Sequence, residues 1–390
     1  MKKSISFLLS IVILLSVISL GGVAYANDKV TVNINGTYGQ TEARSMLKMI
    51  NDFRKSSDAW FWDENNEKYI CSGLQDFTYD YELEEAAMQR AAEISAKFSH
   101  TRPNGGSCFD INENIYAENI AAGSSTAEGA FYQWREDNDD FSGQGHRRSM
   151  LSAGYTAIGI AYFECDGWGY WVQEFGFSNT GKPETSAKDE KASVPIEILT
   201  SDISYKGVAY VEESYTVKAG SKIAVPDTVP AIVLNGCWPD GRFIEVEGKA
   251  TYKAKDSSVI KIESDEIVRL KVGKTILTVS YDTVFGTLSR DFTITVKAPT
   301  IKATTVFLKA IKKGFKASIK SVSGVTGYEI KYSRNKSFKN SKTIRTSKPS
   351  KTVKKLKKKK TYYVKVRSYK SINGVKYYSK WSKVKKVKTK

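Results

Sequence analysis

The chain has 390 residues, a net charge of +18, four cysteines and only two histidines. That length is enough for two to four domains. The charge is unevenly placed: residues 301–390 hold thirty Lys and Arg against the single acid Glu329, so the preceding 300 residues carry −11. A basic tail of this kind attracts polyanions, and an acidic N-terminal region excludes specific nucleic-acid binding there.

Met1-Lys2-Lys3, an apolar run from Ile5 to Leu20 and the small-residue signal Ala24-Tyr25-Ala26 read as a signal peptide over residues 1–26. The run is short for a membrane span, so the mature chain is expected to be secreted, soluble and without a transmembrane segment. Val30, Val32 and Ile34 alternate as in one edge strand. Residues 41–56 form a helical stripe of Met46, Leu47, Met49, Ile50 and Phe53. A second helix over 82–98 starts with Asp80 as N-cap and Glu82, Glu84 and Glu85 in its first turn, and delivers His100 just past its end. A third is expected from Ser125, with Ser125 and Glu128 as a capping box, Phe131 and Trp134 facing inward, and an end near Phe141. Tyr155–Phe163 and Trp168–Phe175, with a Gly turn between them, give a hairpin.

Both histidines, His100 and His146, fall between Phe98 and Leu151, with Glu118, Glu136 and Asp137 between them. Histidine titrates near neutral pH and is the commonest metal ligand, so these residues form a candidate polar cluster. Two unrelated turn histidines fit the spacing as well.

The motifs His100-Thr101-Arg102-Pro103, Glu118-Asn119-Ile120, Phe131-Tyr132-Gln133-Trp134 and Gly145-His146-Arg147, followed by the hairpin, resemble the CAP superfamily, of cysteine-rich secretory, antigen 5 and pathogenesis-related-1 proteins. The resemblance spans 40–178 and implies an α-β-α sandwich. It also implies a cavity cluster of His100, His146, Glu118 and a second acid three positions after the helical tryptophan. Here that acid is Asp137, an Asp where the family has Glu, with Glu136 next to it. The family implies a divalent metal such as zinc on His100 and His146, and a small lipid or glycan ligand. A purely structural pairing of imidazoles with carboxylates is equally physical.

No Gly-x-Ser-x-Gly or His-Glu-x-x-His occurs, and no catalytic residue is assigned. Cys108 lies eight residues from His100 with nothing marking its base. Cys71, Cys108, Cys165 and Cys237 allow three complete pairings or none. Their wide spacing excludes a thiolate zinc cluster.

Residues 179–194 read as a linker rich in charge, with Gly181 and Pro183. Residues 195–298 show short alternating runs and resemble a bacterial immunoglobulin-like domain of group 2. Residues 299–390 resemble a fibronectin type III domain: Leu356, Tyr362, Val364 and Val366 match its corner signature, and Trp381 falls where the last strand often carries one. The fold class is thus a multidomain chain, an α+β domain followed by two all-β sandwiches. Lys354, Lys355, Lys357, Lys358, Lys359, Lys360, Lys365 and Arg367 are the candidate polyanion-binding residues. The expected function is that of a secreted, non-enzymatic binding protein attached to cell-wall polyanions or glycans of a Gram-positive bacterium. The alternative is a metal-dependent hydrolase of wall or host polymers.

Overall fold

The computed structural model describes residues 29–177, 181–210, 212–268 and 271–390. The leader expected over 1–26 lies outside them. Contacts divide the chain into two units. The first runs to Ala209 and takes in Val229–Lys249 and Tyr281–Leu288; the second comprises Tyr210–Thr228, Ala250–Ser280 and Ser289–Lys390.

The first unit contains strands β1 (Lys29–Tyr38), β2 (Trp60–Trp62), β3 (Lys68–Ile70), β4 (Thr78–Tyr79), β5 (Ala117–Ala122), β6 (Ala157–Cys165), β7 (Trp168–Gly176) and β8 (Lys191–Leu199). Its helices are α1 (Gln40–Lys55), α2 (Tyr81–Ala96), α3 (Ala127–Arg135) and α4 (Gly145–Met150). The main sheet has the order β5-β7-β6-β1-β8, with β4 added on β6. Alternate residues of a strand face opposite sides, and β6 and β7 are buried on both. Ile158, Ile160, Tyr162, Trp171 and Phe175 pack with Met46, Ile50, Phe131 and Trp134 of α1 and α3. Ala161, Phe163, Tyr170 and Val172 pack with Ala87, Met88 and Ala91 of α2.

Asp80 caps α2 as its position predicts, its carboxylate accepting from the Glu82 and Leu83 N–H groups at 2.9 Å each. The helix lies close on β6 because Gly159 has no side chain there; a Cβ would sit 2.2 Å from the backbone of Leu83 and Glu84. The third helix differs from its expected bounds. Thr126, not Ser125, caps it by accepting from the Gly129 N–H, and Glu136 in the left-handed conformation stops it well before Phe141.

Two further expectations are corrected. β1 is an internal strand, covered by antiparallel pairing with β8 from Lys29↔Leu199 to Thr37↔Lys191. β8 begins inside the stretch read as linker, because Val194, Ile196 and Ile198 alternate inward and are buried on the same core as α2. Ile232, Leu234, Ile244 and Val246 join that core. The Phe98 N–H donates to the Gly236 carbonyl at 2.8 Å, and Leu199 N–H to the Pro103 carbonyl at 2.9 Å. The segment after residue 190 thus supports the loop that carries His100.

In the second unit the C-terminal part is all β, as expected. Val306–Ile311, Gly314–Ile319 and Ser350–Val353 form one sheet, and Gly327–Ser333, Lys342–Thr346, Thr361–Ile372, Val375–Tyr378 and Lys385–Lys388 the other. Phe315, Ile330, Val364 and Val366 fill the core between them. The Tyr362 hydroxyl accepts from the Lys357 N–H at 3.2 Å, so it pins the lysine-rich turn. Trp381 lies outside the strands. Its ring receives Lys365 at 5.1 Å and Arg367 at 4.4 Å. Arg367 also covers Tyr378 and donates to the buried Glu329 carboxylate. These two cations are engaged inside the module, whereas Lys354, Lys355 and Lys357 to Lys360 are exposed.

Candidate functional site

The Glu118-Asn119 pair sits on β5, an edge of the main sheet, and its two side chains point to opposite faces. On the α2 face, Glu118 meets Arg90. The guanidinium donates from Nε to Oε2 at 2.6 Å and from Nη2 to Oε1 at 3.2 Å. Arg90 is fully buried and also donates to Glu93 at 2.9 Å and to the Ser99 carbonyl at 2.8 Å. Arg102 closes the chain by pairing with Glu93 at 2.7 Å. His100 then donates from Nδ1 to Glu118 Oε1 at 2.7 Å.

On the other face, Asn119 donates to the His146 carbonyl at 3.1 Å and to Gln173 at 2.9 Å. The His146 Nδ1–H donates to Glu136 Oε1, and Glu136 Oε2 accepts from the Arg147 N–H at 3.1 Å. Asp137, expected in the cluster from its distance to Trp134, instead pairs with Arg147 at 2.6 Å and with Arg135 at 3.0 Å. Arg147 is buried, and its guanidinium needs a carboxylate beside the Arg135 and Asp58 carbonyls it also reaches at 2.6 Å each. The structure therefore makes two pairs, His100 with Glu118 and His146 with Glu136.

A cleft of about 590 Å³ opens over His100, with Thr101, Cys108, Phe109, Tyr116 and Glu118 among its walls. Phe109 and Tyr116 are exposed aromatic faces, and His100 and Glu118 bring polar groups to the same cleft. His100, Cys108 and Glu118 each bring a donor atom within 4.8 Å of the others. Behind them, Glu174 of β7 lies directly across from Glu118. It is fully buried, and neither of its oxygens has a hydrogen-bond partner among the described residues.

The electrostatics separate these acids. Burial opposes ionisation of Glu118, but the His100 and Arg90 hydrogen bonds outweigh it and hold the carboxyl below its ordinary value. Burial, then the Glu118 charge, pushes Glu174 well above its ordinary value, favouring its neutral form. Burial, then Glu118 and Glu174, pushes the Cys108 thiol up to about 12. A thiol so protonated beside carboxylates is not an activated nucleophile.

Both imidazoles have Nδ1 tied to a carboxylate, which presents Nε2 as the remaining donor. That is the orientation carboxylates impose on metal-bound histidines, so the residues fit a divalent cation. The sequence pointed to His100, Glu118, Glu136 and His146. It did not point to Arg90, hidden among alanines, or to Glu174. The signal for Glu174 is that it is the one acid in the apolar run Trp168–Phe175.

All four cysteines are free, and Cys108, Cys165 and Cys237 are buried. No helix among the described residues is long and apolar enough to cross a membrane.

Residues 47–175 match the cysteine-rich secretory protein family, CAP. The uncharacterized protein YkwD of Bacillus subtilis (strain 168) is 31% identical over 111 residues, which are 26% of this chain and 40% of YkwD. This chain thus spans well under two thirds of that relative. Among solved structures, NaASP2 with Zn2+ covers 40% of this chain and 88% of its own at 20% identity and a TM-score of 0.29. Domains A168–A170 of titin cover 57% of this chain and 80% of their own at 10% identity and a TM-score of 0.25. Residues 47–175 of this chain are a CAP domain.

Proposed function

We propose that this is an exported, non-enzymatic binding protein whose CAP domain takes a divalent cation at His100 and a small glycan or lipid in the adjoining cleft. The observation that carries this reading is the orientation of His100. Its Nδ1 is fixed at 2.7 Å by a carboxylate that a buried arginine clamps, at the edge of a cleft with two aromatic walls. Aromatic faces beside polar groups suit a sugar ring or an amphipathic lipid. Retention at a bacterial wall would come from the exposed lysines around 354–360, attracting phosphate-rich polymer.

The test is calorimetry of zinc against the full chain and His100→Ala. Binding in the wild type that is lost in the variant is the expected outcome; a wild type that binds no zinc rejects the cation reading. For wall association, full chain is compared with a chain ending at Ala298. Equal retention of the two at low salt rejects the anchoring role.

A further inference from the structure

We propose that the outer face of the larger C-terminal sheet is a binding surface for a phosphodiester polymer, seated on Lys331 and Lys365. This deepens the reading that the module meets phosphate-rich polymer, and rests on it. The specific contact moves from the lysine-rich turn to the sheet.

Strand register places the two lysines. In Gly327–Ser333, Tyr328, Ile330 and Tyr332 turn into the core, so Glu329 and Lys331 lie on the other face. In Thr361–Ile372, Tyr362, Val364 and Val366 turn inward, which leaves Lys365 and Arg367 outward. Antiparallel pairing sets Glu329 opposite Arg367 and Lys331 opposite Lys365. On the flanking strand Glu329 also faces Arg345, and Lys331 faces Thr343. Two neighbouring rows therefore differ in charge. In the first, Glu329 accepts from Arg345 Nε at 3.1 Å and from Arg367 Nε at 2.7 Å. In the second, two ammonium groups rise from directly opposed residues. Glu329 is the single acid of residues 301–390, and arginine occupies both its oxygens. No carboxylate among the described residues pairs with Lys331 or Lys365.

Like charges directly opposite in a sheet destabilise it, and an anion between them removes the repulsion. The row is also positioned. Lys365 is half-buried, and its ammonium lies 4.4 Å from the Phe338 ring centre and 5.1 Å from that of Trp381. The rings orient the ammonium without neutralising it. Burial, then the Lys331 and Arg367 charges, lowers the Lys365 value from its ordinary one, as crowding by cations does. Lys386 stands opposite Tyr363 in the next row, so positive charge continues along the face. A chain of phosphodiesters presents charges in series, and the free oxygens of one phosphate can accept from both ammonium groups at once. The lysines of the turn at 354–360 are exposed and attract polyanions at longer range.

The experiment is calorimetry of the full chain with synthetic poly(glycerol phosphate) at low salt, with polyglutamate as the carboxylate probe. Lys331→Gln and Lys365→Gln should each weaken the phosphate polymer about tenfold, the loss of one charge-assisted contact. Lys331→Arg keeps the charge and should bind like the wild type. Without polymer, Lys331→Gln should raise the melting temperature of the C-terminal transition, because the opposed charges are gone. A merely structural lysine would move stability and affinity down together, and that result overturns the assignment. Wild-type affinity in both Gln variants, with loss only when the turn lysines are replaced, overturns the sheet face and leaves anchoring standing. Polyglutamate bound as tightly as poly(glycerol phosphate) overturns the choice of phosphate. No binding of either polymer by the full chain overturns both readings.

Discussion

The strands after residue 190 should be part of the CAP domain's stability rather than a separate module joined to it. Ending the chain at Glu190 tests this. The cut removes β8 and with it Val194, Ile196 and Ile198; it also removes Ile232, Leu234 and Ile244, all in the core that α2 covers. Each such side chain contributes about 1.5–3 kcal/mol by burial. Six of them together amount to about 9–18 kcal/mol, an upper estimate because unfolded chains already hide some surface. Domain stabilities are about 5–15 kcal/mol. The truncated chain should therefore lack a cooperative urea transition by far-ultraviolet circular dichroism, although it contains all of residues 47–175. Ile198→Ala in the full chain is the milder form and should cost about 2–5 kcal/mol. The reasoning fails if the chain ending at Glu190 unfolds cooperatively, with the same midpoint and slope as the first transition of the full chain.

Glu118→Gln should destabilise by about 3–5 kcal/mol in urea titrations, since it leaves the buried Arg90 short of a counter-charge. The pH dependence has two opposed parts. The Glu118 value is lowered in the folded state, so its contribution is present above the unfolded value near 4.5 and is lost as pH falls through the folded one. The Glu174 value is raised, so its contribution is present below about 4.5 and is lost as pH rises through its folded value, with a slope of about 1.4 kcal/mol per pH unit while it titrates alone. Glu174→Gln should flatten that second fall, seen as melting temperatures converging with wild type at acid pH and exceeding it at neutral pH. Tyr362→Phe should cost about 1 kcal/mol in the C-terminal transition, from loss of the Lys357 hydrogen bond. Replacing Lys357, Lys358, Lys359 and Lys360 by Gln should lower the salt needed to elute the chain from a phosphate-bearing resin. Arg367→Gln should leave elution nearly unchanged and lower stability instead, because it opens the Glu329 pair.

Helices, hairpin and the all-β tail were legible because each depends on short-range pattern. Asp80 is followed by acids and alanines, and β6 and β7 are runs of β-branched and aromatic residues. Long-range partners were not legible. The alternation of Val194, Ile196 and Ile198 marks a strand, but nothing local says that it pairs with β1. The split of Asp137 from Glu136 depends on one backbone conformation, the left-handed turn at Glu136 that ends α3. That turn presents Glu136 to His146 and leaves Asp137 for Arg147.

The Glu118-Asn119-Ile120 motif shows how one strand builds both halves of the site. Side chains alternate along β5, so Glu118 and Ile120 serve the α2 face while Asn119 serves the other. Sliding β5 by one residue against β7 would carry Glu118 away from Arg90 and His100 and press it into the core around Trp134. Ile120 guards against this twice. Its side chain is buried on the α2 side, and its carbonyl accepts from the Trp134 indole at 3.1 Å. Trp134, named at first for its place on a helix, thus acts as a register pin for the acid two residues before its acceptor. A Trp134→Phe variant removes the hydrogen bond while keeping most of the packing. It should perturb the His100 pair through the strand, visible as a shift of the His100 ring resonances with the helices intact. Unmoved resonances would mean that the ladder between β5 and β7 holds the register without help.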